Sequence, residues 1–196
     1  EISQGWRKHA EMPLPLINSV MAAVEGKELK IWIIGGRTRG EGDATSVIRQ
    51  EIFSYSPAAD RWTKAGNLTG ETGVMPLAAG TGAAIDERYV ALFGGNDGSV
   101  FNKVEAVLSA MATESDTLEL KQLENEYISL QESHPGFSRA VLILDTKTGR
   151  CTQAGEIPGP AQVTTTAVQT PWGIVIPSGE IKPGVRTTET RMAGFR

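Results

Sequence analysis

An all-β chain of repeated four-stranded meanders, interrupted by one helical insertion, is the fold class that three observations predict. First, a short apolar run ends in paired glycines at Lys30-Ile31-Trp32-Ile33-Ile34-Gly35-Gly36 and again at Arg88-Tyr89-Val90-Ala91-Leu92-Phe93-Gly94-Gly95, with a weaker copy from Trp172 to Ser178-Gly179. Second, each of the first two runs is followed by two strand-like segments around a turn: Tyr55 and Trp62 flank one through Asp60, and Leu144 and Cys151 flank one through Gly149 at the same spacing. Third, between Gly95 and Ser138 the pattern changes to helical periodicity.

Taken in order, Gly5-Trp6-Arg7-Lys8 and the following Met12-Pro13-Leu14-Pro15 read as the last strand and exit loop of a repeat whose earlier strands are absent. Strands are expected near 19–24, 30–35, 47–56 and 61–65 in the first repeat, 78–85, 89–94, 139–145 and 150–154 in the second, and 164–169 and 172–177 in the third. Thr187 to Arg196 adds about one more strand, so the chain reads as a fragment or as one of two segments. Inside the insertion, Val104, Val107, Leu108 and Met111 follow helical spacing, as do Leu120, Leu123, Tyr127 and Leu130, which predicts helix over most of 103–132. Glu114, Asp116, Glu119, Glu124, Glu126 and Glu132 fall on the outer positions and read as a solvated face. Asn96-Asp97-Gly98 before the helices and His134-Pro135-Gly136 after them are turn chemistry.

The diglycine ending the second strand, with Tyr55 and Trp62 on the third and fourth, resembles the kelch motif, whose repeats form propeller blades. The resemblance covers essentially the whole chain and weakens where Leu144 and Cys151 replace the tyrosine and tryptophan. It implies a kelch propeller segment over 1–196 with a helical insertion at 96–138 in the second repeat, about half of a six-bladed ring. Tyr55 and Trp62 are then packing residues.

Composition narrows the chemistry. A formal net charge of -4 without a basic patch argues against nucleic acid, and no apolar run approaches a membrane span. One cysteine, Cys151, forbids an internal disulfide, and two histidines, His9 and His134, cannot build a His-rich metal cluster, so the expected chemistry is cofactor-independent. Gly80-Thr81-Gly82 lacks the third glycine and helix of a dinucleotide site, and neither a phosphate loop nor a Gly-x-Ser-x-Gly elbow occurs.

Alternation of strand direction in a meander puts the loops between second and third strands on the same face as the loops between blades. That face collects Arg37 and Arg39, Asn96 to Asn102, Glu180 to Arg186, Pro15 to Asn18, Met75-Pro76 and Gln162, with the insertion beside them. Glu180 is expected on a loop that leaves the strand Trp172 to Ile176, with Pro183-Gly184 turning Arg186 back toward the same mouth. Arg37, Lys182 and Arg186 around one acid suit a small anionic ligand, because guanidinium groups grip carboxylates with two parallel hydrogen bonds.

Ser178-Gly179-Glu180-Ile181-Lys182-Pro183-Gly184-Val185-Arg186-Thr187 resembles the Gly-Glu-x-Lys-Pro-Gly-x-Arg-Thr motif of the N-acetylneuraminate epimerase (sialic acid mutarotase) family, and the insertion with its Phe101-Asn102 pair is also similar. The order of repeats resembles the cyclically permuted branch. The resemblance implies an isomerase exchanging α and β anomers of N-acetylneuraminate, with Glu180 as catalytic base and Arg186 as its partner. Arg37, Asn102 and Lys182 are the expected substrate-binding residues. No cofactor or metal is implied. The expected partners are a sugar acid and further blades, from the parent chain or a second segment, and the expected location is the periplasm. The competing readings are a kelch interaction module binding protein and a mutarotase or lectin for another sugar acid.

Overall fold

In the computed structural model, residues 5–42, 44–70 and 73–195 are described. Arg196, the end of the last expected strand, lies outside them. The first blade is an antiparallel sheet of β1 (Val20–Glu25) and β2 (Leu29–Ile34), then, after a small hairpin of β3 (Arg37–Thr38) and β4 (Val47–Ile48), β5 (Glu51–Ser56) and β6 (Arg61–Asn67). The expected strand 47–56 is therefore two pieces: β4 pairs with β3 outside the blade, and β5 pairs with β2 within it. A second small hairpin, β7 (Thr69–Gly70) and β8 (Gly73–Val74), leads to the next blade.

The second blade consists of β9 (Thr81–Ala84), β10 (Tyr89–Phe93), β11 (Ala140–Asp145) and β12 (Cys151–Glu156). Its insertion is α1 (Phe101–Thr113) and α2 (Thr117–Glu132), which fill most of the expected span 103–132 and begin two residues before it. Asp116 begins α2 by accepting the backbone N–H groups of Leu118 and Glu119 at 2.8 and 3.0 Å, which satisfies donors with no partner inside a first turn. The third sheet joins β13 (Val168–Thr170), β14 (Gly173–Lys182) and β15 (Val185–Ala193). Two four-stranded kelch blades and three strands of a third thus stand side by side, with β1 against β9 and β9 against β13 at their inner edges.

The register repeats between blades. Tyr55 stands opposite Trp62, and Leu144 stands opposite Cys151. Leu144 and Cys151 are buried in the layer between the first two blades with Val20, Trp32, Ile34, Ile52 and Leu92, where each large aliphatic side chain removed from water contributes about 1.5–3 kcal/mol. Tyr55 and Trp62 point to the opposite side of the first blade: the Tyr55 hydroxyl donates to Asp60 at 2.6 Å and Trp62 Nε1 donates to the Ala10 carbonyl at 3.0 Å. Their reading as packing residues holds. A second apolar layer, with Phe93, Ile174 and Ile176, joins the second blade to the third.

Two boundaries depart from expectation. Gly5 to Lys8 form no strand, since no described strand runs beside them; instead Ala10 donates its N–H to Asp60 at 2.9 Å. The inner strand expected at 164–169 is reduced to β13, because Val163 and Thr164 give their backbone hydrogen bonds to Glu180 and Ala79.

At the outer corner of the second blade, Arg88 Nε and Nη2 donate to the two oxygens of Asp145 at 2.8 and 2.6 Å, and Asp145 also accepts from the Lys147 N–H and the Thr148 hydroxyl. The Arg88 guanidinium, helped by these donors, holds the Asp145 carboxyl well below the usual carboxylate range. A depressed folded value stabilises the native state above the unfolded value of about 3.9, and that contribution disappears as the pH falls below it. Asp145→Asn is expected to lower the urea midpoint at pH 7 and to narrow its gap from the unmutated protein steadily below about pH 4. A gap that stays constant down the acid limb would show that this pair does not carry the linkage.

Candidate functional site

Glu180 lies within β14 rather than on a loop leaving a strand, because β14 and β15 continue the ladder to Lys182 opposite Val185. Only Pro183 and Gly184 remain to turn the chain, and Gly184 takes a positive φ of 71°. The ladder is interrupted between Pro177 and Gly179 and between Glu180 and Lys182, and such irregularities re-aim the side chains beside them.

The loop before β13 holds the backbone around Glu180 in place. Glu180 and Val163 exchange backbone hydrogen bonds at 2.9 and 3.0 Å. Gln162, only 2% exposed, donates from Nε2 to the Ser178 and Glu189 carbonyls. Gly179, at φ 118°, has its α-carbon so close that a Cβ would lie 3.0 Å from both the Val163 oxygen and the Gln162 side chain. A side chain there would both strain the backbone and push the loop away from Glu180.

The Glu180 side chain is half-buried. Its Oε1 accepts the Gly184 N–H at 2.7 Å, while Oε2 has only a 3.4 Å contact from the Thr164 hydroxyl. One oxygen is thus committed to the turn and the other remains available. Arg186 is the cross-strand partner of Glu180, and directly opposed residues share a face of the sheet. Among the described residues, neither Arg186 nor Lys182 makes an ion pair or a side-chain hydrogen bond, and both are exposed.

Glu180 opens onto a cavity of about 770 Å³ between the third sheet, the interblade loops and the insertion. The insertion faces it through Phe101 and Val104, and Asn18, Met75, Pro76 and Thr164 come from loops between blades. The expected gathering of these loops on one face is therefore observed. His134, at the end of α2, also lines the cavity. The residue is 9% exposed, and its ring packs against Phe137 with centroids 5.2 Å apart. Burial pushes its pKa below the ordinary imidazole value, the Lys182 charge acts in the same direction, and Glu180 opposes both.

Sequence reading missed His134, which looks like one residue of a turn; the available signal was its place where the insertion returns to the Glu180 face. Gln162 was expected on this face, but its buried side chain serves the backbone. Arg37 does not line the cavity. It donates to Ser46 Oγ at 2.8 Å, stands 3.6 Å from Glu105 and lies over the Phe101 ring at 4.9 Å. Glu105 also accepts the Ser46 N–H and hydroxyl, at 2.6 and 2.8 Å, so this cluster ties α1 to the β3–β4 hairpin. Asn102, also outside the cavity lining, has a buried Oδ1 without a hydrogen-bond partner among the described residues. The described residues contain no group of three or more His, Cys, Asp or Glu side chains able to hold a metal ion, and none of their helices is long and apolar enough to cross a membrane.

A family model described as N-acetylneuraminate epimerase matches residues 1–196. Among curated relatives, the N-acetylneuraminate epimerase of Brucella melitensis biotype 1 is 27% identical over 201 residues, covering 99% of this chain and 49% of the relative. That of Salmonella typhi is 24% identical over 158 residues, covering 81% of this chain and 39% of the relative. The chain thus spans about half or less of the length of these relatives. The solved structure of YjhT superposes with a TM-score of 0.75 at 20% identity, over 94% of this chain and 50% of that one, which shows the shared fold.

Proposed function

The chain belongs to the N-acetylneuraminate epimerase family, and from that premise we propose that the full-length protein containing it interconverts the α and β anomers of N-acetylneuraminate by acid–base ring opening. The observation that carries this reading is Glu180 at the wall of a cavity large enough for a monosaccharide, with Arg186 paired opposite it on the β14–β15 hairpin but, like Lys182, outside the residues that line the cavity.

In the proposed cycle, Glu180 Oε2 takes the proton of the anomeric hydroxyl as the bond from the anomeric carbon to the ring oxygen breaks. The ring oxygen acquires that proton from Glu180, the new carbonyl group rotates, and the reverse steps close the ring on its other face. No net proton is gained or lost. Such acid–base help is worth roughly 10²–10⁴-fold, and the Gly184 N–H orients the carboxylate through Oε1. Arg186 supplies a planar pair of donors to the sugar carboxylate. Lys182 adds positive charge at the hairpin tip, while Arg37 and Asn102 support the wall through Phe101 and α1. A periplasmic location, action without a cofactor, and further blades around the same mouth belong to the same proposal and rest on the family resemblance.

Saturation-transfer NMR between the two anomers, with the full-length protein and N-acetylneuraminate, tests the reading: magnetisation should pass between them faster than in buffer alone. No acceleration would return the site to a binding role. Arg186→Lys is expected to raise KM by roughly tenfold, the value of one charge-assisted hydrogen bond, with a smaller effect on kcat. An unchanged KM would remove Arg186 from substrate recognition.

A further inference from the structure

His134 has two nitrogens with separate tasks. Nδ1 accepts the Gly136 N–H at 3.0 Å, and an imidazole nitrogen that accepts is unprotonated in the neutral ring, so the proton sits on Nε2. No described residue accepts a hydrogen bond from Nε2. The ring is held by burial and by Phe137, and it lines the cavity into which Glu180 projects. The charged groups that act on it are Lys182 and Glu180, both from β14.

We propose that His134 is a second substrate-contacting residue of this cavity, whose Nε2–H donates a hydrogen bond to the pyranose ring oxygen of the sugar acid as the ring opens. The inference rests on the acid–base role given to Glu180 above. The ring oxygen gains negative charge when its bond to the anomeric carbon breaks, and a preorganised donor on the cavity wall stabilises that charge more than water does. Burial keeps the imidazole neutral near pH 7, and a neutral imidazole polarises an oxygen by donating a hydrogen bond without surrendering its proton. Glu180 handles the proton, and His134 holds the oxygen that receives it.

Two substitutions separate this role from a merely structural one. The Oδ1 of His134→Asn can replace Nδ1 as acceptor for Gly136 but leaves nothing at the Nε2 position, whereas the amide nitrogen of His134→Gln reaches that position. In the full-length protein, His134→Asn is expected to lower kcat about a hundredfold with KM little changed, and His134→Gln should restore most of kcat although it too gives up ring packing on Phe137. Long-range ¹H–¹⁵N spectra should show the Nε2–H tautomer in the free protein and a displaced Nε2 resonance on saturation with N-acetylneuraminate. An undiminished kcat in His134→Asn, or an Nε2 resonance unmoved by bound sugar, overturns the proposal while leaving the Glu180 reading intact. If the unmutated protein accelerates no exchange, the acid–base reading fails, and the Nε2 resonance still decides whether His134 touches the sugar.

Discussion

Glu180→Gln in the full-length protein is expected to abolish catalysed anomer exchange while leaving the blades folded. The amide oxygen can still accept the Gly184 N–H, and the backbone bonds between Glu180 and Val163 do not involve the side chain. What disappears is the basic Oε2, since an amide cannot take a proton at neutral pH. Loss of one acid–base group costs roughly 10²–10⁴-fold, which would leave exchange near the spontaneous rate. Binding of the sugar acid through Arg186 should persist, so the substitution is expected to act on kcat more than on KM. Saturation transfer between the anomers measures the rate, and line broadening of the sugar resonances measures binding in the same sample. Exchange that survives at the unmutated rate would remove Glu180 from the chemistry.

Gly35→Ala is expected to be the most destabilising single-methyl substitution in the first blade. Gly35 has φ of 60°, and a Cβ there would lie 2.2 Å from the Leu77 carbonyl oxygen. That oxygen cannot retreat freely, because it accepts the Gly36 N–H at 2.7 Å while the Leu77 N–H donates to Arg49 at 3.1 Å. Overpacking of about 1–3 kcal/mol adds to a cost of the order of 1 kcal/mol for a left-handed alanine, against a typical total stability of about 5–15 kcal/mol. Gly42→Ala is the control: its φ is 59° but, among the described residues, nothing beyond its chain neighbours lies within 4 Å of the added carbon, so only the backbone cost should appear. Urea unfolding of the two variants checks this, and equal midpoints would mean that the contact between Gly35 and Leu77 does not constrain the blades.

Much of the architecture was legible because it is local or periodic. The diglycine strands, the Tyr55–Trp62 and Leu144–Cys151 pairs and the two helices depend on spacing that one stretch of chain carries within itself, and the matching registers show that the second repeat has the same geometry without either aromatic residue. Loop parity follows from strand alternation alone, so the convergence of Glu180, the interblade loops and the insertion could be read without coordinates.

What the sequence left open depends on partners distant in the chain. Glu180 reads as a loop residue because proline and glycine follow it, yet pairing with β15 and with Val163 draws it into a strand. Arg37 reads as a ligand for an anion, but Ser46, Glu105 and Phe101 surround it. His134 reads as part of a turn, but the return of α2 to β11 sets it in the cavity beside Glu180. The amino-acid sequence by itself determined the blades, the insertion and the acid; only the tertiary structure decided which side chains meet that acid, because a polar group's role depends on whether the packed chain supplies it a partner or leaves it facing a cavity.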